Sequence, residues 1–291
     1  MTFREELLNV GDLRLNVMTG PASGAPLWMF HGVIRRWQTF LPILPLLASR
    51  WQVYGLDFPG HGKSSRSPGN YLVADYISAA AAALRQAADQ PVILYGHSLG
   101  AMVAAGVAAV VPEKVRAVIL EDPPLDTLGR RIAQTAWQSY FAGLHTLAQA
   151  AAAEHPTERE VAKRLAQLEV VNPITGQRQP LAATRDAVSL RFLASCLLQM
   201  DPDVLAPVAA GNWLESYNWR SAAKYIAAPV LLLQADDAAG GMLADADARQ
   251  FVEAAGDCLL IKFAGAPHNL HIARTQEVFN LVAQFLESLP E

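Results

Sequence analysis

The sequence predicts an α/β fold, a mostly parallel and doubly wound sheet interrupted by one large helical insertion. Three observations predict it. Apolar runs of strand length alternate with longer helical patterns near both ends of the chain, as in sheets covered on both faces. That alternation stops after Leu120 and resumes at Val230, and the intervening hundred or so residues read as helices and turns. The length, 291 residues, suits one large α/β domain carrying a sizeable insertion.

The first strand candidate is Leu13 to Met18, followed by the apolar runs Pro26 to Phe30 and Gln52 to Leu56. A helical pattern covers about Tyr71 to Ala88, and Val92 to Tyr95 is the next strand. Leu99 to Val110 is an alanine-rich helix, and Val115 to Leu120 is a strand. Within the insertion, Ile132 to Ala153, Glu158 to Leu168 and Ala182 to Met200 have helical periodicity, and an aromatic stretch from Trp213 to Trp219 follows. The rhythm then returns with strands at Val230 to Leu233 and Leu259 to Phe263, and helices at Asp245 to Ala255 and Thr275 to Leu289.

Composition narrows the function. With 52% hydrophobic and 17% charged residues, the chain is neither disordered nor fibrous. The longest apolar run stops at Pro112, short of the roughly 20 residues a membrane span needs. The amino terminus, Met1 to Glu6, is acidic where a secretory signal is basic and then apolar. Cys196 and Cys258 sit in apolar contexts without CxxC spacing, which reads as buried thiols in the reducing cytoplasm and not as a metal site. A net charge of -4 with scattered basic residues excludes a nucleic-acid footprint and shows no attraction to an anionic membrane. A small, largely uncharged molecule is the expected partner.

The strongest local signal is Gly96-His97-Ser98-Leu99-Gly100, with the strand Val92 to Tyr95 before it and a helical run after it. A serine on a sharp strand-to-helix turn projects its hydroxyl above the sheet, and glycines two positions before and after remove side chains that would block the turn. A serine alcohol needs a general base. His268, between the last strand and the last helix, is the candidate; His145, His155, His97 and His271 have weaker claims by position. The imidazole needs a carboxylate in turn, and strand ends offer Asp236 (with Asp237) or Asp122 (with Glu121); Asp236 is preferred and Asp122 is the alternative. The oxyanion hole is expected from the backbone N–H groups of Leu99 and Val33, with His31 anchoring the latter's loop. Gly62-Lys63-Ser64 is not a phosphate loop, because position 57 is Asp57, and Gly60-His61-Gly62 lacks the third glycine of a dinucleotide fingerprint at Ser65. Neither a cofactor nor a metal is expected.

From Leu13 to Leu289 the chain resembles the α/β-hydrolase superfamily. The serine elbow, the His31-Gly32 loop, the Asp57-Phe58-Pro59-Gly60-His61-Gly62-Lys63-Ser64 segment and the late histidine carry the resemblance. It implies about eight strands and a helical cap inserted after the sixth, with residues 1–122 and 229–291 as the core and 123–228 as the cap. Two features depart from the family pattern: Pro267 precedes the histidine, and the acid after the seventh strand is displaced, since Ala235 and Ala238 occupy its usual register. A serine nucleophile also disfavours the epoxide hydrolases and haloalkane dehalogenases, which use aspartate.

The expected function is therefore a serine hydrolase that cleaves carboxylic esters of small, largely apolar substrates through an acyl-enzyme, with Ser98, Asp236 and His268 as triad. The alternatives are a carbon–carbon bond hydrolase, for which Arg35, Arg36 and Arg191 would hold a dicarboxylate, a lactonase or perhydrolase, and a non-catalytic ligand receptor. The aromatics Trp137, Tyr140, Phe141, Phe192, Trp213, Tyr217 and Trp219 line a pocket or, in the plainer reading, fill the cap's own core. Trp37, near the oxyanion loop, is open to the same two readings.

Overall fold

A computed structural model describes residues 2–172 and 175–289. Eight strands form one sheet: β1 (Arg4–Val10), β2 (Leu13–Thr19), β3 (Pro26–Phe30), β4 (Gln52–Leu56), β5 (Val92–His97), β6 (Val115–Glu121), β9 (Val230–Ala235) and β10 (Cys258–Phe263). A separate small pair, β7 (Glu169–Val171) and β8 (Arg178–Pro180), lies in the insertion. The sheet order is β1-β2-β4-β3-β5-β6-β9-β10. From β4 to β10 every pairing is parallel, whereas β1 and β2 are antiparallel to their neighbours.

Three strands emerge only in the structure. β1 is an edge strand, REELLNV, that is mostly exposed and packs only Leu8 and Val10 against the core, too few to set up an alternation. The strands β7 and β8 interrupt an insertion that reads as helices and turns, because three residues are too few to set up a period.

The central strands are buried on both faces, and their side chains alternate between two cores. Along β5, Val92 and Leu94 face one core with the helices α1 (Val73–Ala87) and α2 (Leu99–Val110). Ile93 and Tyr95 face the other, which is closed by Val278, Val282 and Phe285 of the carboxyl-terminal helix (Thr275–Ser288).

Between β6 and β9 run α3 (Trp137–Glu154), α4 (Glu158–Gln167), α5 (Ala187–Gln199) and α6 (Trp219–Tyr225). α5 starts five residues later than the pattern suggests because the Asp186 carboxylate accepts from the Ser189 N–H and caps it there. Arg131 and Arg36 are among the residues that tie the insertion to the core. Arg131 binds Asp247 with both terminal nitrogens, at 3.1 and 2.5 Å. Arg36 reaches from the loop after β3 to Gln199 and Ser195 on α5, its guanidinium lying 5.6 Å from the Phe192 ring centroid. No single described helix is long and apolar enough to cross a membrane.

Candidate active site

Ser98 stands between the end of β5 and the start of α2 with φ 57° and ψ -119°, a conformation that costs a non-glycine residue free energy. The turn is held open to backbone approach by its glycines. A Cβ on Gly96 would lie 2.1 Å from the Gly100 oxygen, and one on Gly100 would lie 1.9 Å from the Phe30 oxygen. The Ser98 N–H donates to the Glu121 carbonyl at 2.9 Å, which pins the elbow to the end of β6. Leu99 is the first helical residue, so its N–H has no acceptor inside the helix.

The loop after β3 packs directly on this elbow. A Cβ on Gly32 would come 3.1 Å from His97 Nδ1 and 3.2 Å from the Ser98 Cβ. Gly32 and Arg35 close a turn, 3.2 Å from oxygen to nitrogen, with Ile34 at φ 60°, a rare conformation for a β-branched residue. His31 anchors the loop as expected: Nε2 accepts from the Phe58 N–H at 3.0 Å, so Nδ1 carries the proton and donates to the Gly32 oxygen at 2.8 Å. Beneath it, the buried Asp57 carboxylate accepts from the Trp37 N–H and Asn16 Nδ2 at 2.8 Å and from the Lys63 N–H at 3.2 Å. Ser64 closes the same bracket by donating to the Asp57 carbonyl at 2.6 Å. The motif from Asp57 to Ser64 is thus a scaffold for the loop that carries Val33. Trp37 belongs to that scaffold, with its indole N–H on Glu5 at 2.7 Å.

The acid preferred from the sequence is corrected by the geometry. His268 Nδ1 donates to Asp122 Oδ2 at 2.5 Å. Asp236 instead accepts from the Ala238 N–H at 3.0 Å and the Gly265 N–H at 2.7 Å, two bonds that hold its carboxyl below the usual carboxylate pKa. It braces the loop before His268 without touching the imidazole. Asp237 is exposed. Asp122 reaches the histidine because its backbone turns at φ 45° directly after β6. Its Oδ1 accepts from the Ala235 and Leu243 N–H groups at 3.0 and 3.2 Å, and Oδ2 accepts from the Met242 N–H at 2.8 Å.

A second polar cluster, which sequence reasoning missed, lies under the first. The buried Glu121 carboxylate accepts from the Tyr95 hydroxyl at 2.5 Å and from the His271 N–H and Nδ1 at 3.1 and 2.8 Å. His97 Nε2 donates to the His268 carbonyl at 3.1 Å. His97, Glu121 and His271 are close enough to be weighed as a cation site, but these hydrogen bonds already occupy the Glu121 oxygens. The sequence signal was available in the Glu121-Asp122 doublet and in the His268, His271 spacing.

Three buried histidines remain neutral. Burial, assisted by neighbouring charge, holds His31 and His97 well below their ordinary pKa, and burial brings His61 to about 4. Each folded pKa lies below its unfolded value, so the unfolded chain takes up protons first as pH falls. Their stabilising contribution is complete above about pH 6.5 and is lost progressively toward pH 4. Thermal unfolding at pH 7 and pH 5 tests this, with a lower midpoint expected at pH 5; an unchanged midpoint would contradict it.

Ser98, His268, Gly32, Val33 and Ile34 line one small pocket, about 420 Å³ with its open mouth included. It adjoins a larger cleft of about 870 Å³, mouth included, through Trp137, Tyr140, Arg185, Met242, His268 and Asn269. Of the cap aromatics, Trp137, Tyr140 and Phe141 line the pocket. The others pack elsewhere: Trp213 is buried, Tyr217 donates to the Met102 carbonyl, and Trp219 donates to Asp126 and stacks on Phe251. Phe192 lies under Arg36.

Comparison with known proteins agrees with this architecture. The family model for the alpha/beta hydrolase fold matches residues 25–274. The chain is 30% identical over 214 residues to 2-(acetamidomethylene)succinate hydrolase of Mesorhizobium japonicum, covering 71% of this chain and 76% of that one. It is 30% identical over 94 residues to (E)-2-((N-methylformamido)methylene)succinate hydrolase of Acinetobacter baylyi, a match spanning 32% of this chain and 36% of that protein. Among solved structures, E-2-(acetamidomethylene)succinate hydrolase superposes with a TM-score of 0.73 at 21% identity, covering 99% of this chain and 100% of that one, a likeness of fold.

Proposed function

The chain belongs to the alpha/beta hydrolase family, and from that membership we propose that it is a serine hydrolase cleaving carboxylic esters through an acyl-enzyme on Ser98. One observation carries the reading. The strained elbow serine opens into the same small pocket as a histidine whose far nitrogen is bonded to a buried carboxylate.

With Nδ1–H committed to Asp122, Nε2 of His268 is the basic nitrogen left for the serine. It takes the Ser98 proton as Oγ attacks the carbonyl carbon, and the negative charge that develops on the carbonyl oxygen is met by the N–H groups of Leu99 and Val33. The imidazolium, stabilised by Asp122, returns the proton to the departing alcohol. Water, deprotonated by the same nitrogen, then releases the acid. Residues 123–228 act as the cap over this reaction, with Trp137, Tyr140 and Phe141 restricting solvent around the acyl group. An intact acid, base and serine favours this over a non-catalytic receptor.

A fluorophosphonate probe tests the reading, since it reacts with a serine made nucleophilic by its base. Peptide mapping is expected to find the adduct on Ser98. Ester turnover by a protein whose Ser98 stays unlabelled would sink the proposal.

A further inference from the structure

Two guanidinium groups line the pocket that holds Ser98, and among the described residues neither meets a carboxylate. Arg35 comes from the core side, directly after the strained Ile34, with its Nη1 donating to the Ile34 carbonyl at 3.2 Å. Arg185 comes from the insertion, just ahead of α5. Part of the Arg35 side chain stays exposed, yet its charge sits in a desolvating pocket. Burial lowers its pKa and the charge of Arg185 adds to the effect, with Cys196 and Tyr140 opposing.

Other arginines nearby are differently employed. Arg36 donates to Gln199 and Ser195, and the exposed Arg191 pairs with Glu158 at 3.5 Å. Holding two unpaired like charges in a half-enclosed site costs free energy that an anion between them would offset. A carboxylate suits the planar forks of two arginines, and the aromatic wall keeps the local dielectric low.

We propose that Arg35 and Arg185 form a carboxylate clamp, so that the ester cleaved at Ser98 is an anion carrying a carboxylate a few bonds from its scissile carbonyl. For the bond that breaks, this rests on the serine hydrolase reading; for the anion that binds, it does not. It replaces the expectation of a largely uncharged substrate. Ser98 and both arginines line one small pocket, about 420 Å³ with its open mouth included, which calls for a short acid. Because one arginine belongs to the core and the other to the insertion, the bound carboxylate also draws the two together over the serine.

The test compares monomethyl succinate with its near-isostere methyl butanoate, both read by acid release. The anionic ester is expected to be preferred by roughly tenfold or more in kcat/KM. Arg35→Gln and Arg185→Gln should each bring that ratio down toward one, whereas Arg191→Gln should leave it unchanged. Equal rates in the wild type, or a preference that survives both substitutions, overturns the clamp. Calorimetry of succinate binding to Ser98→Ala separates the two readings. If no ester turns over, but succinate binds and Arg35→Gln or Arg185→Gln weakens it roughly tenfold, the clamp stands and the hydrolase reading falls. Succinate that does not bind, or binds equally well without either arginine, removes the clamp whatever the esters show.

Discussion

Asp122→Asn is expected to lower kcat on any hydrolysed ester by about 10⁴-fold, while Asp236→Asn costs less than about tenfold. The first carboxylate is fully buried and accepts from four donors, three of them backbone N–H groups and the fourth His268 Nδ1. An amide of the same shape has one acceptor oxygen and one NH2 group. If the oxygen keeps the Ala235 and Leu243 donors, the NH2 faces the Met242 N–H and Nδ1, and the imidazole must carry its proton on Nε2. A histidine in that tautomer cannot take the Ser98 proton. Asp236 only receives the Ala238 and Gly265 N–H groups, and Asn retains an oxygen for one of them. Steady-state kinetics of the two variants, with far-UV circular dichroism to confirm folding, decide the matter; a large loss in Asp236→Asn alone would restore the acid preferred from the sequence.

Gly100→Ala is expected to lower the unfolding free energy by about 3 kcal/mol or more, or to prevent folding altogether. The new methyl would lie 1.9 Å from the Phe30 carbonyl oxygen and 2.8 Å from that of His31. Both are backbone atoms at the end of β3, so relief requires α2 to lift from the sheet and carry the elbow with it. Gly106→Ala is the comparison, on the same helix. Its methyl meets the Ile77 side chain, 2.2 Å from Cδ1, which can change rotamer, and alanine regains about 1 kcal/mol of helix propensity. Urea unfolding should place Gly106→Ala nearer the wild type. A Gly100→Ala midpoint equal to or above that of Gly106→Ala would show that the elbow tolerates the contact.

The elbow and the late histidine were legible because each depends on local chemistry. Ser98 is announced by the glycines its neighbours require, and His268 by its place between the last strand and the last helix. His31 was legible for the same reason, as a loop anchor beside a glycine. The acid was not. Asp122 and Asp236 both follow strands, and the choice between them depends on the φ of 45° at Asp122 and on three N–H groups at the end of β9 and in the segment after it. Nor could periodicity sort the cap aromatics, since a ring facing the serine and a ring facing another helix recur at the same spacing.

By itself, then, the sequence determined the alternation of strands and helices, the place of the insertion, and the nucleophile with its base, because periodicity, glycine sterics and chain order act over a few residues or in simple succession. Tertiary structure alone decided which carboxylate meets His268, that Glu121 pairs with His271, and that Arg35 and Arg185 share a pocket. Those pairings join residues more than a hundred positions apart, and only the closing of β6 against β9, with the insertion folded over them, gives them a distance.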